Sequence, residues 1–317
     1  MEWVGVAEGA FVDPSELHLA ARNRAQLRFV SLGDAGSVAQ LDGCAALVVG
    51  LQRLSADHFA AMPTSVTVIG RAGIGLDSLD LDAARRRGIA VVHQPDYATD
   101  EVATHALAMI LALSRRITTG DRVARSAWPS WSEFDTIRPL SESTVAVIGL
   151  GRIGRAVATR LAPLSGRVVG FDPVSRAAEI EQLGTLDEAV AGSDVVTLHA
   201  PLTEQTAAMI NERTIELTAP GALLINVSRG GLVDEAAVAR ALRTGRLGGA
   251  ALDVLSAEPP RADNPLLTTP NTILTPHMAW LSRSSQVRLQ RWTMESVLDV
   301  LNGVPVTHGR LAVANPS

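Results

Sequence analysis

Short apolar runs alternate with longer amphipathic stretches along most of the chain, and turn residues punctuate the joins. The runs are three to six residues long and rich in Val, Ile and Leu, as expected of strands buried on both faces of a parallel sheet. The stretches between them repeat apolar residues at helical spacing. Together they predict an α/β fold, with helices covering both faces of doubly wound parallel sheets. In the first third, strands are expected over residues 3–6, 28–32, 45–50, 66–70 and 89–92, enough for one open sheet.

A long apolar helix is expected over 100–117, with Thr99 as its N-cap and Asp100 and Glu101 in the first turn, where acidic side chains suit the helix dipole. It is read as a bridge between two domains. A second series of strands follows over 144–148, 167–171, 194–198, 222–226, 249–253 and 272–274. The last helix, over 284–301, places Val287, Met294, Val297, Leu298 and Leu301 on one face and stops at Gly303 and Pro305. Six strands already complete the second sheet, so this helix is assigned to the first. Residues 1–98 and 284–317 then form one domain, with 99–283 inserted as the other.

Composition fits this picture. The chain has 317 residues, long enough for two domains, and is 47% hydrophobic and 19% charged. Its net charge of -5 and lack of a basic run argue against a nucleic-acid partner. All 28 basic residues are arginine, which excludes Schiff-base chemistry, a lysine general base and a phosphate-loop lysine. No Gly-x-Ser-x-Gly elbow points to a hydrolase, and nothing calls for a metal. The single cysteine, Cys44, lies in an apolar run and is expected to fill core space. With no basic leader and no apolar stretch of about 18 residues, no membrane partner is expected and the expected location is cytoplasmic.

The most informative segment is Gly149-Leu150-Gly151-Arg152-Ile153-Gly154, between the strand over 144–148 and a helical stretch over 155–161. Such a turn brings backbone close to a pyrophosphate and rests its charge on the N-H groups of a helix N-terminus. Its mid-chain position implies that the preceding residues form a separate domain. Asp172 ends the next strand, 18 residues after Gly154, where a carboxylate accepts both hydroxyls of an adenosine ribose. A carboxylate there repels a 2′-phosphate, and the nearest following arginine is Arg176. NAD is therefore the expected cofactor, ahead of NADP.

Three later segments begin near strand ends, where ligands bind in open α/β sheets. Asn226-Val227-Ser228-Arg229 offers a cation, Asp253-Val254-Leu255-Ser256-Ala257-Glu258-Pro259 a carboxylate, and Thr275-Pro276-His277-Met278-Ala279-Trp280 an imidazole. Reduction of a 2-keto acid requires a fixed cation for the substrate carboxylate and developing oxyanion, and an acid for the new alkoxide. Arg229 suits the first role and His277 the second. Glu258 beside His277 would orient the ring and favour imidazolium.

With these segments the chain resembles the D-isomer-specific 2-hydroxyacid dehydrogenases, over residues 66–288. The resemblance rests on the glycine fingerprint with Asp172, on Asn226-Val227-Ser228-Arg229-Gly230-Gly231-Leu232-Val233-Asp234-Glu235, on the segment from Asp253 to Pro259, and on Thr275-Pro276-His277. It implies a Rossmann NAD-binding domain inserted into a flavodoxin-like substrate domain, with catalysis in a cleft that closes between them. Arg229, Glu258 and His277 would be the catalytic set. The resemblance places Asp253 at the nicotinamide carboxamide, and His199, Pro201, Thr206, Val227 and Ser228 around the cofactor with Gly149, Gly151, Arg152, Ile153, Gly154 and Asp172.

For the substrate, Arg71-Ala72-Gly73-Ile74-Gly75 resembles the family loop whose amides receive a carboxylate. Tyr97 falls where D-lactate dehydrogenases place a substrate-contacting tyrosine. Trp280 resembles the branch containing phosphoglycerate dehydrogenases and relatives of the C-terminal binding proteins, and would favour an apolar or extended substrate side chain. Thr104 departs from the usual family Glu, and Trp128-Pro129-Ser130-Trp131 is expected to pack at a homodimer arm. An NAD-dependent D-2-hydroxyacid dehydrogenase is expected. The alternative is an NAD(H)-sensing binding protein with incidental turnover.

Overall fold

In the computed structural model, which describes residues 1–126, 128, 134 and 137–314, the apolar runs become the strands of two sheets. The chain divides into two compact units, Met1–Ala98 with Leu281–Ser317, and Thr99–Trp280.

The first unit contains β1 (Glu2–Ala7), β2 (Ala25–Val30), β3 (Cys44–Val49), β4 (Val68–Arg71) and β5 (Ala90–His93). These pair in parallel in the order β2-β1-β3-β4-β5, the flavodoxin-like order. A terminal strand, Arg310–Val313, adds antiparallel to β5. Four residues at an edge left no signal in the apolar pattern, and this strand was not expected. β2 starts at Ala25 rather than residue 28, because β1 supplies partners only from Glu2 opposite Ala25 to Ala7 opposite Val30. Ser31 and Leu32 lie beyond the end of that partner.

The last helix, Arg283–Leu301, packs Met294, Val297 and Leu298 with Val4, Val6, Ala46, Val48 and Val68. Burying each such side chain contributes roughly 1.5–3 kcal/mol. It starts at Arg283 because Ser282 and Ser285 form a reciprocal cap, with Ser285 N-H donating to Ser282 Oγ at 2.9 Å. Cys44 is fully buried.

The second unit contains β6 (Thr144–Ile148), β7 (Arg167–Phe171), β8 (Glu181–Gln182), β9 (Val195–Leu198), β10 (Ala222–Asn226), β11 (Leu247–Leu252) and β12 (Thr272–Leu274). All pair in parallel, in the order β12-β11-β10-β9-β6-β7-β8. This is the dinucleotide-binding order with one further strand. The expected six become seven because β8, two residues long, is too short to show in the apolar pattern. The order reverses between β6 and β9, so the glycine fingerprint after β6 stands at the switch point.

The helix expected over 100–117 is two helices, Thr99–Ser114 and Ile117–Ser126. Thr99 is the first helical residue rather than the cap. The break falls at Arg115-Arg116, where Arg116 takes a left-handed conformation (φ 49°) and its N-H donates back to Leu113 O at 2.9 Å. The second helix buries none of its residues within the chain. Trp128 is exposed, while Pro129, Ser130 and Trp131 of the expected dimer arm lie outside the described residues. Among the described residues no helix is long and apolar enough to cross a membrane.

Candidate active site

The three fingerprint glycines have different reasons to lack a side chain. Gly149 has φ 95°, and a Cβ on it would lie 2.6 Å from the carbonyl carbon and oxygen of His199. A Cβ on Gly154, in the first turn of the helix Arg152–Leu161, would collide with Gly149 O, so this glycine sets how closely helix and strand approach. Gly151 differs from both. A Cβ there meets nothing within 4 Å, and this N-cap has no side-chain cap of its own. The space beside the helix start is therefore open, as an incoming pyrophosphate requires.

Asp172 follows directly on β7. Its Oδ2 accepts from Leu150 N-H at 2.8 Å, inside the fingerprint, and its Oδ1 accepts from Val174 N-H at 2.8 Å and Ser175 N-H at 2.7 Å. Burial pushes the carboxyl up, but the N-H donors of Ser175, Leu150 and Val174 outweigh it and hold Asp172 below the usual aspartate value. Asp172 therefore remains an anion and clamps the fingerprint turn to the end of β7. Three backbone N-H groups thus already occupy this carboxylate.

His199 follows β9 beneath the fingerprint. Its Nε2 lies 2.9 Å from Thr197 Oγ1, and burial drives the ring down to about 3, so it is neutral at physiological pH. Thr206 Oγ1 donates to Pro201 O at 2.7 Å and accepts from Thr203 N-H at 2.8 Å, closing the loop that carries both residues. Ser228 Oγ donates to Leu198 O at 2.9 Å, and Val227 beside it is buried. These residues shape the ends of β9 and β10, on one side of the fingerprint, while Arg152 and Ile153 open its helix.

The three catalytic segments leave the ends of β10, β11 and β12. Buried Asn226 orders the first: its Nδ2 donates to Arg229 O at 2.8 Å and its Oδ1 accepts from Ser228 N-H at 3.0 Å. Arg229 donates to Ser228 O at 2.7 Å. A Cβ on Gly230 would collide with the Leu255 backbone, so only glycine lets this loop meet the one carrying Glu258. Sequence reasoning missed Asn226 and Gly230, although both stand in the matched motif.

His277 Nδ1 lies 2.7 Å from Glu258 Oε2, and Glu258 Oε1 accepts from Leu255 N-H at 3.1 Å. Burial pushes the Glu258 carboxyl up, but the His277 hydrogen bond and charge, with help from Leu255 N-H and Arg229, hold it below the usual glutamate value. An ionised Glu258 fixes the proton on Nδ1 and leaves Nε2 to face a substrate. His277 itself has φ 52°, a left-handed conformation costing roughly 1–2 kcal/mol in a residue other than glycine. Structure around it must hold it there.

Asp253 supplies much of that hold. It is 1% exposed, and its carboxylate accepts from Thr275 Oγ1 at 2.5 Å, Met278 N-H at 2.9 Å and Ala279 N-H at 2.9 Å. Its backbone carbonyl accepts from His277 N-H at 2.8 Å. The resemblance assigned Asp253 to a carboxamide; in the structure three protein donors already occupy its carboxylate. Trp280 follows, half-buried.

In the first unit, the loop after β4 is braced from within. Arg71 is 4% exposed and its guanidinium turns back to donate to Gly75 O at 3.0 Å and to Ala72 O. Ala72 N-H is committed to Val49 O at 2.8 Å, so amides for a carboxylate would come from Gly73 onward. Gly73 O accepts from Gln94 N-H at 3.0 Å, and Ile74 O lies 2.9 Å from His93 Nδ1. Tyr97 is buried, and its carbonyl accepts from Arg288 Nε at 2.8 Å.

Residues 107–279 match the family model of the D-isomer specific 2-hydroxyacid dehydrogenase, NAD binding domain. The chain belongs to the D-isomer specific 2-hydroxyacid dehydrogenase family. The D-3-phosphoglycerate dehydrogenase of Archaeoglobus fulgidus is 39% identical over 257 residues, covering 80% of this chain and 48% of that protein. The one from Mycobacterium leprae is 36% identical over 302 residues, covering 90% and 57%. The chain thus spans about half the length of the curated relatives it matches.

Among solved structures of similar proteins, the TT0316 protein from Thermus thermophilus superposes with a TM-score of 0.86 at 32% identity, over 97% of this chain and 99% of that one. A D-lactate dehydrogenase from Aquifex aeolicus, complexed with NAD and lactic acid, superposes with a TM-score of 0.84 at 30% identity, over 95% and 96%. Membership of the family and an NAD-binding second unit agree with the resemblance read in the motifs.

Proposed function

We propose that the chain catalyses the NAD-dependent interconversion of a small 2-keto acid and its D-2-hydroxy acid. The observation that carries this reading is the 2.7 Å pairing of His277 Nδ1 with Glu258 Oε2, in loops that leave the same carboxyl end of the parallel sheet as the glycine fingerprint. In the reductive direction His277 Nε2 gives its proton to the new alkoxide, and Glu258 stays ionised to stabilise the imidazolium beforehand. Arg229 holds the substrate carboxylate and balances charge on the carbonyl oxygen. A bound nicotinamide supplies the hydride.

Asp172 favours NAD over NADP, since its anionic carboxylate ends β7 where a 2′-phosphate would have to sit. Trp280, in the same loop as His277, favours a keto acid with an apolar or extended side chain. The Aquifex aeolicus structure with NAD and lactic acid supports the reaction class.

The test is turnover of glyoxylate, hydroxypyruvate, pyruvate, phenylpyruvate and phosphate-bearing keto acids with NADH and with NADPH. At least one keto acid is expected to turn over, with higher kcat/KM for NADH and better use of phenylpyruvate than of glyoxylate. Equal efficiencies with the two cofactors would remove the ribose role from Asp172. NADH binding with no turnover on any of them would favour the cofactor-sensing alternative.

A further inference from the structure

The loop that presents His277 is tied, through Asp253, to a histidine that the mechanism does not use. His105 lies on the helix Thr99–Ser114, within the same unit as His277, and its Nε2 is 3.2 Å from Thr275 Oγ1 and 3.7 Å from Asp253 Oδ1. Its side chain is 21% exposed, against 1% for Asp253.

Proton counting orients the chain of bonds. A threonine hydroxyl has one proton, and an ionised carboxylate only accepts. The 2.5 Å separation of Thr275 Oγ1 from Asp253 Oδ1 marks a charge-assisted bond in which the hydroxyl donates. Thr275 Oγ1 must then accept from His105, which carries its proton on Nε2. The sequence of donors is His105 Nε2-H to Thr275 Oγ1, then Thr275 O-H to Asp253 Oδ1.

Asp253 in turn gathers the segment around His277. It takes Met278 N-H and Ala279 N-H on its carboxylate and His277 N-H on its carbonyl. His277 sits in the middle of that wrap with φ 52°, a conformation that persists only where surrounding bonds impose it. Without His105, the Thr275 hydroxyl and Asp253 lose their outermost donor and the wrap can relax towards ordinary backbone.

We propose that His105 is a positioning residue for His277, acting through Thr275 and Asp253 from a helix outside the catalytic loops. The proposal rests on His277 being the proton donor of the reaction. A histidine here does what a hydrophobic residue could not: it supplies an N-H to a buried polar cluster that is already committed to a carboxylate.

The test compares His105→Phe, His105→Gln, Thr275→Val and His277→Ala in steady-state reduction of the best keto acid by NADH. His105→Phe and Thr275→Val are expected to lower kcat by about 10- to 100-fold, the scale of misplacing a catalytic group by about 1 Å. KM and the Kd for NADH should stay within about twofold of wild type. His105→Gln, whose amide can donate to Thr275, should recover most of the loss.

The double variant His105→Phe/His277→Ala should be no slower than His277→Ala alone, since the two residues act on one step. Wild-type kcat in His105→Phe beside a crippled His277→Ala would overturn the proposal alone. So would an undiminished His105→Phe effect in the His277→Ala background. Wild-type turnover in His277→Ala would overturn the proton-donor reading and, with it, the proposal.

Discussion

Replacing His277 with alanine is expected to slow keto-acid reduction by at least about 100-fold, the usual scale for a lost general acid. Affinity for NADH should stay within about twofold, because none of the fingerprint contacts involves this ring. Glu258 faces Nδ1 at 2.7 Å and fixes which nitrogen carries the shared proton, so Nε2 is the only ring atom left to act on a substrate. Glu258, held ionised by this pairing, has no proton to give in its place. Steady-state kcat, with NADH affinity from fluorescence titration, decides the matter. Rates within about threefold of wild type would take proton transfer away from His277.

Gly149→Ala should damage both stability and cofactor binding, and Gly151→Ala is a revealing contrast. At position 149 a methyl group meets the His199 carbonyl carbon and oxygen at 2.6 Å and Ala200 N at 2.7 Å, all backbone, on a residue with φ 95°. Nothing there can move cheaply. Strain of at least about 2 kcal/mol is expected, lowering Tm by roughly 4–8 °C and weakening NADH binding together. At position 151 a methyl group meets no protein atom within 4 Å. Stability should be unchanged in Gly151→Ala while NADH affinity falls, because only an approaching pyrophosphate would collide with the added carbon. Thermal unfolding of the cofactor-free proteins, followed by NADH titration, separates the two effects. A matching loss of Tm in both variants would mean that Gly151 is structural rather than left open for the cofactor.

Much of this architecture was legible because buried parallel strands read as uninterrupted Val, Ile and Leu runs. β6, β7, β10 and β12 fall at the expected residues for that reason. β8 and the strand Arg310–Val313 left no such signal, being too short or too peripheral for pattern to outweigh turn composition. The break at Arg115-Arg116 was hidden by apolar residues on both sides, although the paired arginines mark where the buried stripe ends.

The site was legible as residue types at strand ends and illegible as bonds. Asp172 could be read as a ribose acceptor, yet its clamp on Leu150 N-H depends on how β7 meets the fingerprint. Asp253, named for the cofactor by resemblance, organises the loop around His277. Arg71, expected at the substrate, also braces its own loop, because a guanidinium at the start of a tight turn can satisfy its donors on the carbonyls that follow. His105 lies 170 residues from Thr275 in sequence, a separation that no local pattern reveals.

Reduction of phenylpyruvate and pyruvate by the purified protein with NADH, followed by chiral chromatography, measures the configuration of the product. The D-2-hydroxy acid is the expected product. Formation of the L-acid, or no NADH consumption with any 2-keto acid, would contradict a D-2-hydroxyacid dehydrogenase acting through Arg229, Glu258 and His277.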